Sequence, residues 1–128
     1  MQYRNMGRTG LKVSEVCLGT MTFGHGTDER ASEEIVDLAF DSGVNFFDTA
    51  NTYGDGVSEV LLGNALKGRR RDAVVATKVF NPFGPGPNDS GMSRVHITNA
   101  VEDSLCRLQT TFAFYVHART LIGRNPST

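Results

Sequence analysis

Short apolar runs recur along this 128-residue chain at nearly even intervals, and each closes on a glycine or on a residue able to do chemistry. Val16-Cys17-Leu18 closes at Gly19, Asn45-Phe46-Phe47 at Asp48, Val74-Val75-Ala76-Thr77 at Lys78, and Phe112–Val116 at His117. The intervals of 29, 30 and 39 residues each fit one strand–helix–strand unit. Parallel strands lie about 4.8 Å apart, so this period stacks the four positions along one rim of a sheet. A carboxylate, an ammonium and an imidazole on one rim have the makings of an active site.

Local patterns fill in the units. Residues 2–15 read as an opening hairpin turned at Gly7–Gly10, and Val16–Leu18 as the first strand of the series. A helix is predicted over residues 28–42, with Ala31, Ile35, Leu38 and Ala39 as its apolar face and Gly43 as its left-handed stop. The strand Val44–Phe47 is apolar without alternation, as a parallel strand covered on both faces should be. A second helix is predicted from Ser58, as cap, through Leu61, Leu62, Ala65 and Leu66 to Gly68, followed by the strand Ala73–Thr77. Residues 81–92 hold three prolines and three glycines and must be a long loop on the rim that carries Lys78. Ser93 caps a third helix with Ile97, Ala100, Val101, Leu105 and Leu108 on its apolar face, and Phe112–Val116 is the fourth strand. Past His117 no helical stripe continues, so residues 118–128 read as an irregular tail.

Strands alternating with helices through right-handed crossovers give a parallel sheet, doubly wound or part of a barrel. The opening hairpin would plug the N-terminal end of a barrel, opposite the polar rim. Every candidate residue stands at a strand C-terminal end, where (β/α)8 barrels place their chemistry. The α/β fold expected over residues 1–117 is therefore four parallel strands with three helices, either doubly wound or part of a barrel.

Composition excludes several functions. The 39% apolar and 21% charged content is that of a soluble globular domain, and the net charge of −1 gives nucleic acid or an anionic membrane no hold. The basic run Lys67–Arg71 reads as a solvated loop that complements a helix C-terminus. No run approaches the ~20 apolar residues that span a bilayer, and no signal-peptide segment follows Met1, which points to the cytoplasm. Cys17 and Cys106 read as free thiols, and His25 and His96 lack partners at metal-ligand spacing, so no metal is expected.

Asp48 ends one strand, Tyr53 follows five residues later in the loop, and Lys78 ends the next strand. Adjacent strand ends let Asp48 and Lys78 meet, and the loop can fold Tyr53 over them. A phenol, with an unperturbed pKa near 10, is a poor proton donor at neutral pH. A cation about 4 Å away is worth on the order of 4 kcal/mol at an effective dielectric of 20, which favours the phenolate. Asp48 would hold that lysine charged and oriented. The array suits protonation of an oxygen on which negative charge develops, as in hydride reduction of a carbonyl.

Val16-Cys17-Leu18-Gly19-Thr20-Met21-Thr22-Phe23-Gly24, Gly43–Gly54 with its Asp48-Thr49-Ala50-Asn51-Thr52-Tyr53-Gly54 block, and Ser58-Glu59-Val60-Leu61-Leu62-Gly63 resemble the aldo-keto reductases. Ala76-Thr77-Lys78, Ser93–Ile97 and Ser104–Leu108 extend the resemblance over residues 1–110, closest to the bacterial and plant branch related to potassium-channel β subunits. The resemblance implies a (β/α)8 TIM barrel, of which residues 1–117 form the N-terminal half, that reduces aldehydes or ketones with NADPH. It implies Tyr53 as general acid, Lys78 as the partner that lowers its pKa, Asp48 as the partner of Lys78, and His117 as the fourth member. Gly19, Thr20, Met21 and Asp48 would line the nicotinamide end of the cofactor cleft. Where the family continues to its histidine, this chain is two residues shorter. That change preserves side-chain alternation in a strand, so His117 keeps its face; the alternative is a histidine without a role. The resemblance places most pyrophosphate and adenosine contacts on later strands, beyond these four. Weak or absent turnover by these residues alone is therefore expected, and a non-catalytic remnant is the rival reading. Open sheet edges point further to self-association, so a self-associating interaction module is a third.

Overall fold

The computed structural model describes residues 1–117, with Phe114–His117 as backbone alone; the tail expected over residues 118–128 lies outside the described residues. Strands β1 (Tyr3–Asn5) and β2 (Lys12–Ser14) form the opening antiparallel hairpin. There follow β3 (Cys17–Gly19), α1 (Glu29–Asp41), β4 (Phe46–Asp48), α2 (Val57–Ala65), β5 (Val74–Val79), α3 (Arg94–Arg107) and β6 (Phe114–His117). The sheet order is β3-β4-β5-β6, all parallel, an open half of a barrel with β3 and β6 at its margins.

The hairpin docks at the N-terminal end of β4, as a plug should. Ser14 N donates to Asn45 Oδ1 at 2.7 Å, Asn45 N donates to Ser14 Oγ at 3.2 Å, and Asn45 Nδ2 donates to Lys12 O at 3.1 Å. Tyr3 adds a hydrogen bond from its hydroxyl to Gly43 O at 2.7 Å, where Gly43 turns the chain with φ of 85°. The long loop over residues 81–92 carries no helix or strand, and closes through Phe83 N to Asp89 O at 2.9 Å and Gly91 N to Phe80 O at 2.8 Å.

One apolar layer lies between the helices and the outer face of the sheet. Phe23, Val36, Phe47, Leu62, Leu66, Val75 and Leu108 are each 2% exposed or less. Burying a side chain the size of Phe47 contributes about 1.5–3 kcal/mol, and its ring packs on Phe40 with centroids 5.1 Å apart.

Three local expectations are corrected. In α1 the buried seam is Ser32, Val36 and Ala39, while Ile35 and Leu38 are 37% and 67% exposed. A stripe at 31/35/38 and one at 32/36/39 share the same period and differ by one residue's rotation. Ser32 joins the buried side because its hydroxyl is satisfied by Asp28 O at 2.7 Å. Ser58 is not a cap: α2 begins one residue earlier, behind Gly56 at φ of 91°. The basic run is only partly a solvated loop. Arg69 pairs with Asp37 and stacks 4.7 Å from the Phe40 ring. Arg70 donates to Ala73 O at 2.7 Å and to Phe112 O at 2.5 Å. These arginines tie elements together, whereas Lys67 and Arg71 remain exposed.

Helices α2 and α3 meet at Gly63, where a Cβ would stand 2.8 Å from the carbonyl of Leu108. Backbone cannot yield as a side chain can. Gly63→Ala is expected to cost about 1–3 kcal/mol, read as a lower urea midpoint with an unchanged slope.

Candidate active site

Strand register brings the predicted residues together. Asp48 pairs with Gly19 on one side and Ala76 on the other, and Lys78 stands two residues beyond Ala76, on the same face. The ladder continues past the strand ends through Thr20 N to Asp48 O and Thr49 N to Ala76 O, both 2.9 Å. Tyr53 opens a tight turn, Tyr53–Gly56, in which Gly54, Asp55 and Gly56 all take positive φ. A non-glycine residue such as Asp55 in that region costs of order 1–3 kcal/mol. The turn lays the phenol back over the strand ends.

Lys78 Nζ is the centre of the site. It donates to Asp48 Oδ2 at 2.5 Å and to Thr49 O at 2.9 Å, and lies 3.5 Å from Tyr53 Oη. An ammonium has three N–H donors, and three oxygens face them here. The nitrogen also sits 5.1 Å from the centroid of the Tyr53 ring. Because the lysine addresses a lone pair of the phenol oxygen, the phenol's own proton is directed elsewhere. Lys78 and Asp48 side chains are 19% and 31% exposed, so the pair is shielded yet reachable. A cavity of about 80 Å³ opens beside them, lined by Ala50, Asn51, Thr52, Tyr53, Lys78 and Val79 among others.

A fully buried hydroxyl cluster supports this arrangement and was not legible in the sequence. Ser58 Oγ donates to Thr20 O at 2.7 Å and stands 2.9 Å from Thr20 Oγ1 and 3.0 Å from Thr49 Oγ1. It fastens the ends of β3 and β4 to α2. The signal for it lay in three small polar residues beside strand ends, which capping rules assign to other roles.

Of the residues expected at the nicotinamide end, Gly19 is exposed, and a Cβ built on it would meet nothing within 4 Å. Met21 is 64% exposed, and the Thr20 side chain is turned inward to Ser58 and Asp48 O. His117 stands in backbone register with Val79, one place beyond Lys78; its side chain lies outside the described residues. His96 is buried in the first turn of α3. Among the described residues no cluster of three His, Cys, Asp or Glu could hold a metal ion, and no helix is long and apolar enough to cross a membrane.

Cys17 stands in register with Phe46, two residues below Gly19, and it and Cys106 are free thiols. Desolvation, followed by the Asp48 carboxylate, pushes the Cys17 thiol up to about 11, with Lys78 opposing the rise. At pH 8 such a thiol carries roughly a hundredfold less thiolate than an ordinary one. Slow iodoacetamide labelling at Cys17, slower still in Lys78→Met, is the expected result by peptide mass spectrometry.

With this geometry in hand, comparison with known proteins is direct. The model of the aldo/keto reductase family matches residues 15–119. An uncharacterized oxidoreductase of Bacillus subtilis (strain 168) is 50% identical over 121 residues, covering 86% of this chain and 37% of its own. A probable voltage-gated potassium channel subunit beta of Arabidopsis thaliana is 43% identical over 123 residues, covering 91% of this chain and 37% of its own. The holo form of an aldo-keto reductase from Bacillus halodurans superposes with a TM-score of 0.82 at 42% identity, over 91% of this chain and 40% of that one. The chain thus spans under half the length of these relatives. A family match over residues 15–119 takes in β3, Asp48, Tyr53 and Lys78: the chain belongs to the aldo/keto reductase family.

Proposed function

We propose that this chain supplies the proton-delivering part of a site that reduces aldehydes or ketones to alcohols with hydride from NADPH. The observation that carries the reading is Lys78 Nζ held between Asp48 Oδ2, Thr49 O and Tyr53 Oη at 2.5, 2.9 and 3.5 Å. A carbonyl compound entering the cavity beside Tyr53 presents its oxygen to the phenol. Tyr53 gives that oxygen its proton as negative charge gathers there, and the phenolate left behind is stabilised by the ammonium. Asp48 keeps the ammonium in place.

NADPH, when bound, supplies the hydride that goes to the carbonyl carbon. The residues present fit its nicotinamide end: Gly19 leaves open space at the mouth of β3, with the part-exposed Asp48 carboxylate next to it and exposed Met21 beyond. The remaining contacts fall in the portion of the relatives that this chain does not match, so turnover by these residues alone is weak or absent.

Titration with NADPH, followed by nicotinamide fluorescence, tests the reading. The expected result is a weak saturable signal that Gly19→Val removes without changing thermal unfolding, since the new side chain enters open space. A flat trace would instead favour a remnant that has kept its site residues and lost the cofactor.

A further inference from the structure

Glu59 belongs to the Ser58-Glu59 motif, yet no step above uses it. It is 0% exposed, an expensive place for a carboxylate, since burying an ion costs several kcal/mol even after relaxation. Its two oxygens face different elements. Oε1 accepts from Thr77 Oγ1 on β5 at 2.5 Å, and Oε2 accepts from Arg107 Nε at the end of α3 at 2.6 Å. The guanidinium of Arg107 also reaches Ser104 Oγ at 3.3 Å and lies 5.0 Å from the Phe83 ring in the long loop. A Cβ on Gly56, at the turn that carries Tyr53, would stand 2.9 Å from Arg107 Cδ.

Thr77 is the residue before Lys78 and points to the opposite face of the strand. Glu59 sits in the first turn of α2, directly after the Tyr53–Gly56 turn. The contacts therefore close a ring: Tyr53, its turn, α2, Glu59, Thr77, Lys78, and across 3.5 Å back to Tyr53. An apolar pairing in place of Glu59 and Arg107 together would fill the space at similar or better stability. What it lacks is direction, because a hydrogen-bonded carboxylate fixes distance and angle where dispersion fixes neither.

We propose that Glu59, anchored by Arg107, is a positioning residue that sets the separation of Lys78 from Tyr53 through Thr77. The inference deepens the proposed function, and its test does not depend on turnover. The chain is produced with tyrosine labelled with carbon-13 at Cζ, and the Tyr53 signal is identified by its loss in Tyr53→Phe. Lys78→Met defines how far that signal moves when the ammonium is gone. Glu59→Gln and Thr77→Val are expected to move it in the same direction, with the Tyr3 signal unmoved. Arg107→Lys, which keeps the charge, is expected to move it less than either. Thr77→Val decides the matter should Glu59→Gln fail to fold, since it preserves shape and leaves the ion pair with Arg107 intact. A Tyr53 signal in Thr77→Val that coincides with the wild type overturns the inference, leaving the acid role of Tyr53 untouched. A signal that Lys78→Met itself does not move overturns the lysine–phenol contact and this inference together.

Discussion

Tyr53→Phe is expected to lower carbonyl reduction by about 10²–10⁴-fold, the usual contribution of a positioned proton donor. The measurement is NADPH oxidation with a small aldehyde, made with this chain or any assembly that completes its barrel. The ring stays 5.1 Å from Lys78 Nζ and only the hydroxyl is lost, so packing is preserved. The NADPH titration should be unchanged, because Tyr53 is not among the residues assigned to the cofactor. Loss in kcat without loss in cofactor affinity is the pattern of an interaction made only in the transition state. A variant that keeps most of its rate would take the acid role away from Tyr53.

Arg107→Met should produce the largest loss of stability. It leaves the Glu59 carboxylate, 0% exposed, without its charge partner. Removing one member of a buried pair typically costs about 3–5 kcal/mol. Whole domains are stable by only about 5–15 kcal/mol, so a urea midpoint near the onset of unfolding is expected. Replacing both partners, Glu59→Met with Arg107→Met, should be milder than Arg107→Met alone, because no orphaned charge remains. Equal midpoints for Arg107→Met and the wild type would mean that the pair is already open to water.

Much of this was legible in the chain itself, for reasons that differ by residue. Asp48 and Lys78 declared themselves because each ends an apolar run, at the strand C-terminal end where (β/α)8 folds place their chemistry. Tyr53 followed from its distance along the loop. The hairpin and the loop over residues 81–92 were written in glycines and prolines, which act locally. Contacts made across the fold were not legible. Ser58 has the chemistry of a cap and is used instead for a hydroxyl cluster with Thr20, 38 residues away. Glu59 reads as an acid in a first turn, and its partner Arg107 is 48 residues distant. The α1 stripe was misplaced by one residue because period alone does not distinguish Ile35 from Val36 when a serine completes the buried line. His117 could be placed only as far as its backbone register with Val79.

Asp48 and Lys78 ride on β4 and β5, which among the described strands are the two bonded to neighbours on both sides. Fraying of an open sheet starts at its outermost members, so amide exchange should invade β3 and β6 first and the strands that carry Asp48 and Lys78 last. The Asp48–Lys78 ion pair is thus lodged where partial opening does least harm.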